Sequence, residues 1–221
     1  MCNRYRMSAN QAELAARYGV EVPYPADLTI PPPELFPKRD AMVVRQEEGA
    51  RVLDVVGWGF PMQVRTAAGK ATEKPVTNVR NLASPFWRSA LKEPARRCLV
   101  PFTRFSEYGP GPKGGKPLYW FDVPSWPIAS FAGIWRPLAE GGRAFAFLTT
   151  EPNTLVAPIH PKAMPVILHE EDEQRWLSGE MDGLVEPFPS QLMSVRQHQP
   201  DPGGTPKEEF TQGGDAVSDN D

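Results

Sequence analysis

Proline punctuates this chain closely enough to decide its architecture: 26 of its 221 residues are prolines, and 18 more are glycines. Inside a helix a proline removes an i→i−4 hydrogen bond and clashes with the preceding turn, at a cost of about 3 kcal/mol. Glycine favours turns. The chain is therefore expected to fold as many short elements. Apolar runs recur as far as Val195, and with 40% hydrophobic and 23% charged residues there is material for one substantial core. One folded domain is expected over residues 1–197, followed by a tail over 198–221.

Three short helices are expected. Ser8 to Tyr18 reads as one, with Ser8 as cap, Gln11 three residues on, Leu14, Ala15 and Tyr18 on one face, and Gly19 as the stop. A second begins at Ser84, with Pro85 at its first position, and runs to Leu91. A third runs from Glu171 to Ser178, acidic at its start and stopped by Gly179. Eight β-type runs lie between them: Met42 to Arg45, Arg51 to Val56, Cys98 to Phe105, Leu118 to Asp122, Ala129 to Trp135, Ala144 to Thr149, Pro165 to Leu168 and Leu192 to Arg196. The fold class expected is α+β, a single domain with a curved, largely antiparallel, barrel-like sheet flanked by short helices.

The formal charge of −3 hides an uneven distribution. Residues 199–221 hold six acids and one lysine, net −5, which leaves +2 for residues 1–198. The body is thus mildly basic, compatible with nucleic acid, and the acidic Pro/Gly-rich tail reads as disordered. No apolar run approaches the ~20 residues of a membrane span, and the start of the chain lacks the apolar core of a signal peptide. A cytoplasmic monomer is expected. Cys2 and Cys98 have no metal-ligand spacing and there are three histidines, so neither a metal nor another cofactor is expected.

Cys2 has the greatest chemical potential. A small penultimate side chain permits removal of Met1, which leaves an amine and a thiol on adjacent carbons. A free α-amine, with a pKa near ~7.7 to 8.0, can attack an aldehyde to give a Schiff base. The thiol can then close a five-membered thiazolidine. His160 lies in a polar, Pro-punctuated segment leading into the apolar run Met164 to Leu168, well placed to exchange protons or equally a turn histidine. Glu107, flanked by aromatics, is either a partly buried acid of raised pKa or a solvated strand end. Asn78 and Arg80 precede the second helix, and Arg80, Arg4, Arg6 and Lys162 could contact phosphates or simply form a solvated surface.

In order, these segments resemble the SOS-response-associated peptidase family of abasic-site-processing proteins, over most of residues 2–197. The matching pieces are Met1-Cys2-Asn3-Arg4-Tyr5, Val56-Gly57-Trp58-Gly59-Phe60, Thr77-Asn78-Val79-Arg80, Arg97-Cys98-Leu99-Val100-Pro101 with Phe105-Ser106-Glu107-Tyr108, Phe131-Ala132-Gly133-Ile134-Trp135, and His160 with Met164-Pro165-Val166. The chain departs from the family in having Asn3 where glycine is usual, Asn81-Leu82 where an acid is usual, no second tryptophan after Trp58, and Lys162 near the usual arginine. The resemblance implies single-stranded DNA carrying abasic sites as partner and covalent capture through Cys2. Glu107 would then orient or deprotonate the Cys2 amine, His160 protonate the sugar ring oxygen, and Asn78 hold the sugar or the Cys2 backbone. It further implies DNA contacts by Arg4, Arg80 and Lys162 and a lyase or peptidase-type classification; Trp58 and Phe60 are candidate stacking surfaces, although Trp58, beside two glycines, reads more readily as a core residue. Three other readings stay open: an amide-hydrolysing N-terminal nucleophile, a cysteine peptidase pairing Cys2 with His160, and a non-catalytic DNA-binding module.

Overall fold

The structure, a computed structural model, describes residues 2–20, 31–67 and 69–198; the expected acidic tail therefore lies almost entirely outside the described residues. In chain order the strands are Tyr5–Arg6 (β1), Glu34–Leu35 (β2), Asp40–Glu47 (β3), Ala50–Trp58 (β4), Phe60–Arg65 (β5), Ala71–Val76 (β6), Asn78–Val79 (β7), Arg97–Phe102 (β8), Arg104–Tyr108 (β9), Leu118–Asp122 (β10), Ala129–Pro137 (β11), Arg143–Thr150 (β12), Met164–Pro165 (β13), Ile167–Leu168 (β14) and Ser194–Gln197 (β15). The helices are Gln11–Tyr18 (α1), Pro85–Lys92 (α2) and Glu173–Leu177 (α3).

Two curved sheets and a hairpin result. In the larger sheet β12, β4, β3, β8 and β11 pair in succession, and β11 pairs back onto β12, so the five strands close a ring. Most of its pairings are antiparallel; β12 runs parallel to β4 and to β7. The second sheet has the order β15, β10, β9, β1, β2. The β3–β4 hairpin turns on Glu48 and Gly49, both at positive φ (50° and 84°), the geometry that matches the twist of paired strands in a two-residue loop.

Several expected elements split for definable reasons. The run Cys98 to Phe105 becomes β8 and β9 because the chain changes sheet at Thr103: Phe102 pairs with Ala129 in the ring, whereas Arg104 pairs with Arg6. The run Pro165 to Leu168 breaks at Val166, whose N–H donates to Leu148 on one side while its carbonyl accepts from Ala132 on the other. The cap of α1 is Asn10 rather than Ser8. Asn10 Oδ1 accepts from the Glu13 N–H at 2.9 Å and Glu13 Oε2 accepts from the Asn10 N–H at 2.7 Å, a reciprocal box that needs an acid three residues on. Helix α2 forms on Ser84 and Pro85 as expected. Helix α3 is shorter than expected, its first turn being the 3-10 segment Glu170–Asp172.

Aromatic rings fill the space between the sheets. Phe102 stacks on Phe131 at 3.9 Å between centroids, and Tyr5 meets Trp58 edge-on at 5.0 Å. Tyr5 is fully buried, so the start of the chain is anchored in the core, and the core thereby sets the position of Cys2.

Candidate active site

Strand β1 lies between β2 and β9, with Tyr5 opposite both Leu35 and Phe105. The Arg4 carbonyl accepts from the Ser106 N–H at 3.0 Å, from Ser106 Oγ at 3.2 Å and from Cys2 Sγ at 3.5 Å. These bonds hold Cys2 in place, and it is 1% exposed. Burial pushes its thiol pKa up, and the Glu107 carboxylate adds to the effect. The resting sulfur is therefore a thiol and not a thiolate.

Asn78, on β7, also reaches Cys2. Its parallel pairing with β12 puts it beside Phe147, and its Nδ2 donates to the Cys2 carbonyl at 3.1 Å and to Thr77 Oγ1 at 2.7 Å. Thr77 Oγ1 in turn donates to Asn3 Oδ1 at 3.3 Å. The side chain that replaces the usual glycine is thus tied into the same network. Asn78 Oδ1 is buried without a hydrogen-bond partner, an acceptor left for an incoming hydroxyl or amine.

Glu107, on β9, is 5% exposed. Burial raises its carboxyl from the ordinary 4.5 to about 7. His160 Nδ1 lies 3.6 Å from Glu107 Oε2. Burial, and then the positive groups around the ring, Lys162, Arg80 and Lys116 among them, lower the His160 pKa to about 4. The contact has ion-pair distance, yet near neutrality the imidazole is uncharged and Glu107 is the group that exchanges a proton.

The segment carrying His160 is fixed by a residue that sequence reasoning passed over. Asn153 Oδ1 accepts from the N–H groups of Leu155 and Val156 at 3.1 and 2.9 Å, its Nδ2 donates to the Phe188 carbonyl at 2.7 Å, and the His160 N–H donates to the Val156 carbonyl at 2.8 Å. An Asn-Thr turn upstream of His160 was the available signal. Lys116 was also missed, because it sits in a Gly/Lys-rich loop with no motif around it.

The expected DNA contacts divide. Arg80 and Lys162 are exposed and act electrostatically on His160. Arg4 is ion-paired with Glu34 and lies 5.2 Å from the Trp120 ring. Trp58 and Phe60 are corrected: they are 1% and 0% exposed and belong to the core. Trp58 Nε1 donates to the Thr77 carbonyl at 3.3 Å, and Phe60 packs on Trp87 at 5.1 Å. Neither can offer a ring face to a base. Among the described residues the exposed Phe, Tyr and Trp rings are Phe36 (43%) and Tyr108 (52%), the latter next to Glu107.

Among the described residues no helix is long and apolar enough to cross a membrane, and no three His, Cys, Asp or Glu side chains group as metal ligands would.

Comparison with known proteins adds to this geometry. The abasic site processing protein YoqW of Bacillus subtilis (strain 168) is 24% identical over 211 residues, covering 89% of this chain and 92% of that protein; its counterpart in Bacillus phage SPbeta matches equally. A crystal structure of a protein from Bacteroides thetaiotaomicron shares the fold with a TM-score of 0.71 at 24% identity, covering 90% of this chain and 92% of that one. One from Bordetella bronchiseptica also gives 0.71, at 17% identity, covering 90% and 100%. The family model described as SOS response associated peptidase (SRAP) matches residues 1–200, and the chain belongs to that family.

Proposed function

We propose that this protein captures abasic sites in single-stranded DNA by a covalent bond through Cys2 once Met1 has been removed, and so shields the lesion in a DNA-repair role. The observation that carries the reading is the Glu107–His160 contact of 3.6 Å beside Cys2, one member with a pKa of about 7 and the other neutral. The name of the Bacillus relative, abasic site processing protein, supports the choice of substrate.

The chemistry balances without a cofactor. The α-amine of Cys2 attacks the aldehyde carbon of the ring-opened sugar, and proton transfer gives a carbinolamine. Loss of water leaves a Schiff base. The thiol sulfur then bonds to the same carbon while its proton goes to the nitrogen, so aldehyde plus aminothiol yields a thiazolidine plus one water. A buried, protonated thiol suits this last step, since the imine carbon is the electrophile and the sulfur delivers its proton to the imine nitrogen as it bonds.

Each neighbour has a part. Glu107 takes the ammonium proton and returns it for the departure of water. His160, held neutral, relays the proton that opens the closed sugar, drawing it from Glu107; its low pKa argues against a standing imidazolium in that role. Asn78 fixes the Cys2 backbone through Nδ2 and presents Oδ1 to the sugar. The rim of Arg80, Lys116 and Lys162 attracts the phosphates on either side of the lesion.

The test is denaturing gel electrophoresis of protein mixed with single-stranded DNA bearing one abasic site, with the mature N-terminus established by mass spectrometry. A heat-stable shifted band is expected for wild type and not for Cys2→Ala or for a form that keeps Met1. Absence of the band from mature wild type would reject covalent capture and favour amide or peptide hydrolysis at the same cysteine.

A further inference from the structure

The outer face of the five-stranded sheet, away from the Glu107–His160 pair, carries an arrangement that the Cys2 chemistry does not use. The guanidinium groups of Arg4, Arg6 and Arg104 lie 5.2, 4.8 and 6.0 Å from the centre of the Trp120 ring. The sheet register explains the gathering. Arg6 pairs with Arg104 across β1 and β9, Trp120 pairs with Ser106 across β10 and β9, and exposed Arg196 on β15 pairs with Trp120 from the other side. Arg4 also reaches the exposed Phe36 ring, 5.5 Å away, at the far edge.

Clustered like charges repel, and among the described residues this cluster holds one counter-charge. Glu34 binds Arg6 through two bonds of 2.8 and 3.1 Å and also pairs with Arg4. Burial alone would raise the Glu34 carboxyl, yet Arg6 and Arg4 hold it below its ordinary value. Arg104 has no ion pair among the described residues. Asp122, the next residue along the neighbouring strand after Phe121, accepts instead from Ser194 Oγ. Among the described residues three cations face one carboxylate, a surplus of positive charge; Trp120, 6% exposed, packs beneath the guanidinium groups as their support and not as a stacking surface, so the face has the composition of a phosphate-binding site.

Position ties this face to the reaction. Cys2, Arg4 and Arg6 follow one another along a single extended segment, so Arg6 lies about 13 Å from Cys2 at the usual rise of a strand. Arg104 stands beside Arg6. We infer that Arg6 and Arg104 form a second phosphodiester subsite, which receives the DNA strand on one side of the lesion, and that Glu34 occupies that subsite as an internal stand-in until a phosphate replaces it. The inference rests on the DNA reading of the Cys2 site and adds to it a path for the strand that the rim of Arg80, Lys116 and Lys162 does not supply.

The probe is single-stranded DNA containing tetrahydrofuran, an abasic analogue with no aldehyde, so binding is measured free of crosslinking. Fluorescence anisotropy across a salt series is expected to give a salt slope shallower by about 0.7 for Arg104→Gln and again for Arg6→Gln, the value of one lost phosphate contact on a single strand. Glu34→Gln is expected to tighten binding several-fold, because it removes the competing carboxylate. With half-strands that extend from the analogue on one side only, the Arg104→Gln effect should appear on one half-strand and not on the other. Arg104 is exposed and has no ion pair among the described residues, so this variant tests the idea without threatening the fold.

Unchanged slopes in both arginine variants, an equal Arg104→Gln effect on both half-strands, or a Glu34→Gln protein that binds no better than wild type would each overturn the inference. The gel assay with a true abasic site separates this outcome from failure of the proposed function. Wild type that crosslinks while Arg6→Gln and Arg104→Gln keep wild-type slopes would sink only the strand path. Reduced slopes in a protein that never crosslinks would sink only the covalent chemistry.

Discussion

His160 Nδ1 stands 3.6 Å from Glu107 Oε2, with the imidazole at a pKa of about 4 and the carboxyl at about 7. The pair therefore crosses neutrality with its exchangeable proton on the acid. If crosslinking needs Glu107 protonated and the Cys2 amine, near ~7.7 to 8.0 when unperturbed, in its free form, the rate is a product of two opposing fractions. A bell with its maximum between about 7 and about 8 is expected. Glu107→Gln should be slower and should lose the descending limb, leaving a rise that follows the amine alone. Single-turnover crosslinking from pH 5 to 9 measures this, and a Glu107→Gln profile with both limbs intact would remove Glu107 from the proton cycle.

The same shifts have consequences for stability, of opposite sign for the two groups. Unfolded Glu107 ionises near 4.5 while the folded protein keeps the proton to about 7, so this group costs stability as pH rises through that window. His160 takes up a proton near 6.5 when unfolded and near 4 when folded, so its contribution is lost as pH falls from 6.5 to 4. Glu107→Gln should therefore gain melting temperature relative to wild type at pH 8 more than at pH 5. Differential scanning calorimetry at the two values checks it, and an equal change at both would mean that the carboxyl is not held at a raised pKa.

Removing the sulfur while keeping the amine isolates the second bond. Mature Cys2→Ala keeps an α-amine in the same place but can proceed only to a Schiff base. The expected product is trapped by borohydride and lost on heating without it, whereas the wild-type adduct survives heat untreated. Mass spectrometry of the two adducts distinguishes them. A heat-stable Cys2→Ala adduct would show that the thiol is not what makes the link durable.

How far the sequence revealed this architecture depended on what each residue's neighbours in the chain could say. Pro85 after Ser84 specified α2 locally, and the short apolar and aromatic run Leu118 to Asp122 specified β10 to the residue. The hairpin of β5 and β6 escaped notice because it is polar and carries Pro61 opposite Pro75, so no buried face imposes a pattern. The gathering of Cys2, Asn78, Glu107 and His160 was legible only through ordered motifs, since residues up to 158 positions apart meet through sheet register and, for His160, through the turn that Asn153 fixes. Trp58 and Phe60 mark the opposite failure. Both were stacking candidates, but Trp58 is packed among Tyr5, Phe145 and Phe147, and Phe60 is covered by Phe86 and Trp87 of α2.

Asn78 is expected to act through position and not through charge. Its Nδ2 bonds to the Cys2 carbonyl and Thr77 Oγ1 are both buried, and Asn78→Ala leaves that carbonyl without its donor, at about 1–3 kcal/mol. Crosslinking should slow while the pH at the rate maximum stays where it is, because neither ionising group has been altered. Asn78→Asp should be worse than Asn78→Ala, as it sets a carboxylate against a carbonyl oxygen inside the protein. Denaturant melts together with the crosslinking pH profile test this; a displaced maximum in Asn78→Ala would mean that Asn78 tunes the proton-transfer groups after all.

Gly133 shows that a residue can belong to a family motif for reasons of packing alone. It sits in Phe131-Ala132-Gly133-Ile134-Trp135 on β11, where a Cβ would stand 2.7 Å from Cys98 Sγ, 2.8 Å from Val100 Cγ2 and 3.2 Å from the Cys98 carbonyl. Its own carbonyl and that of Cys98 accept from Trp176 Nε1 at 3.2 and 3.0 Å, which locks α3 onto the sheet. Cys98 and Val100 are short, fully buried side chains with no room to retreat, and the Cys98 carbonyl is backbone, so Gly133→Ala should destabilise the fold by about 1–3 kcal/mol. Crosslinking measured well below the melting point should be unchanged, since Gly133, Cys98 and Val100 lie on β11 and β8 of the larger sheet whereas Cys2 precedes β1 and Glu107 lies on β9 of the other. Cys98→Ala should recover part of the loss in the double variant by vacating the closest contact. A Gly133→Ala protein of wild-type stability, or one of full stability that crosslinks slowly, would mean that the motif glycine serves the site and not the packing.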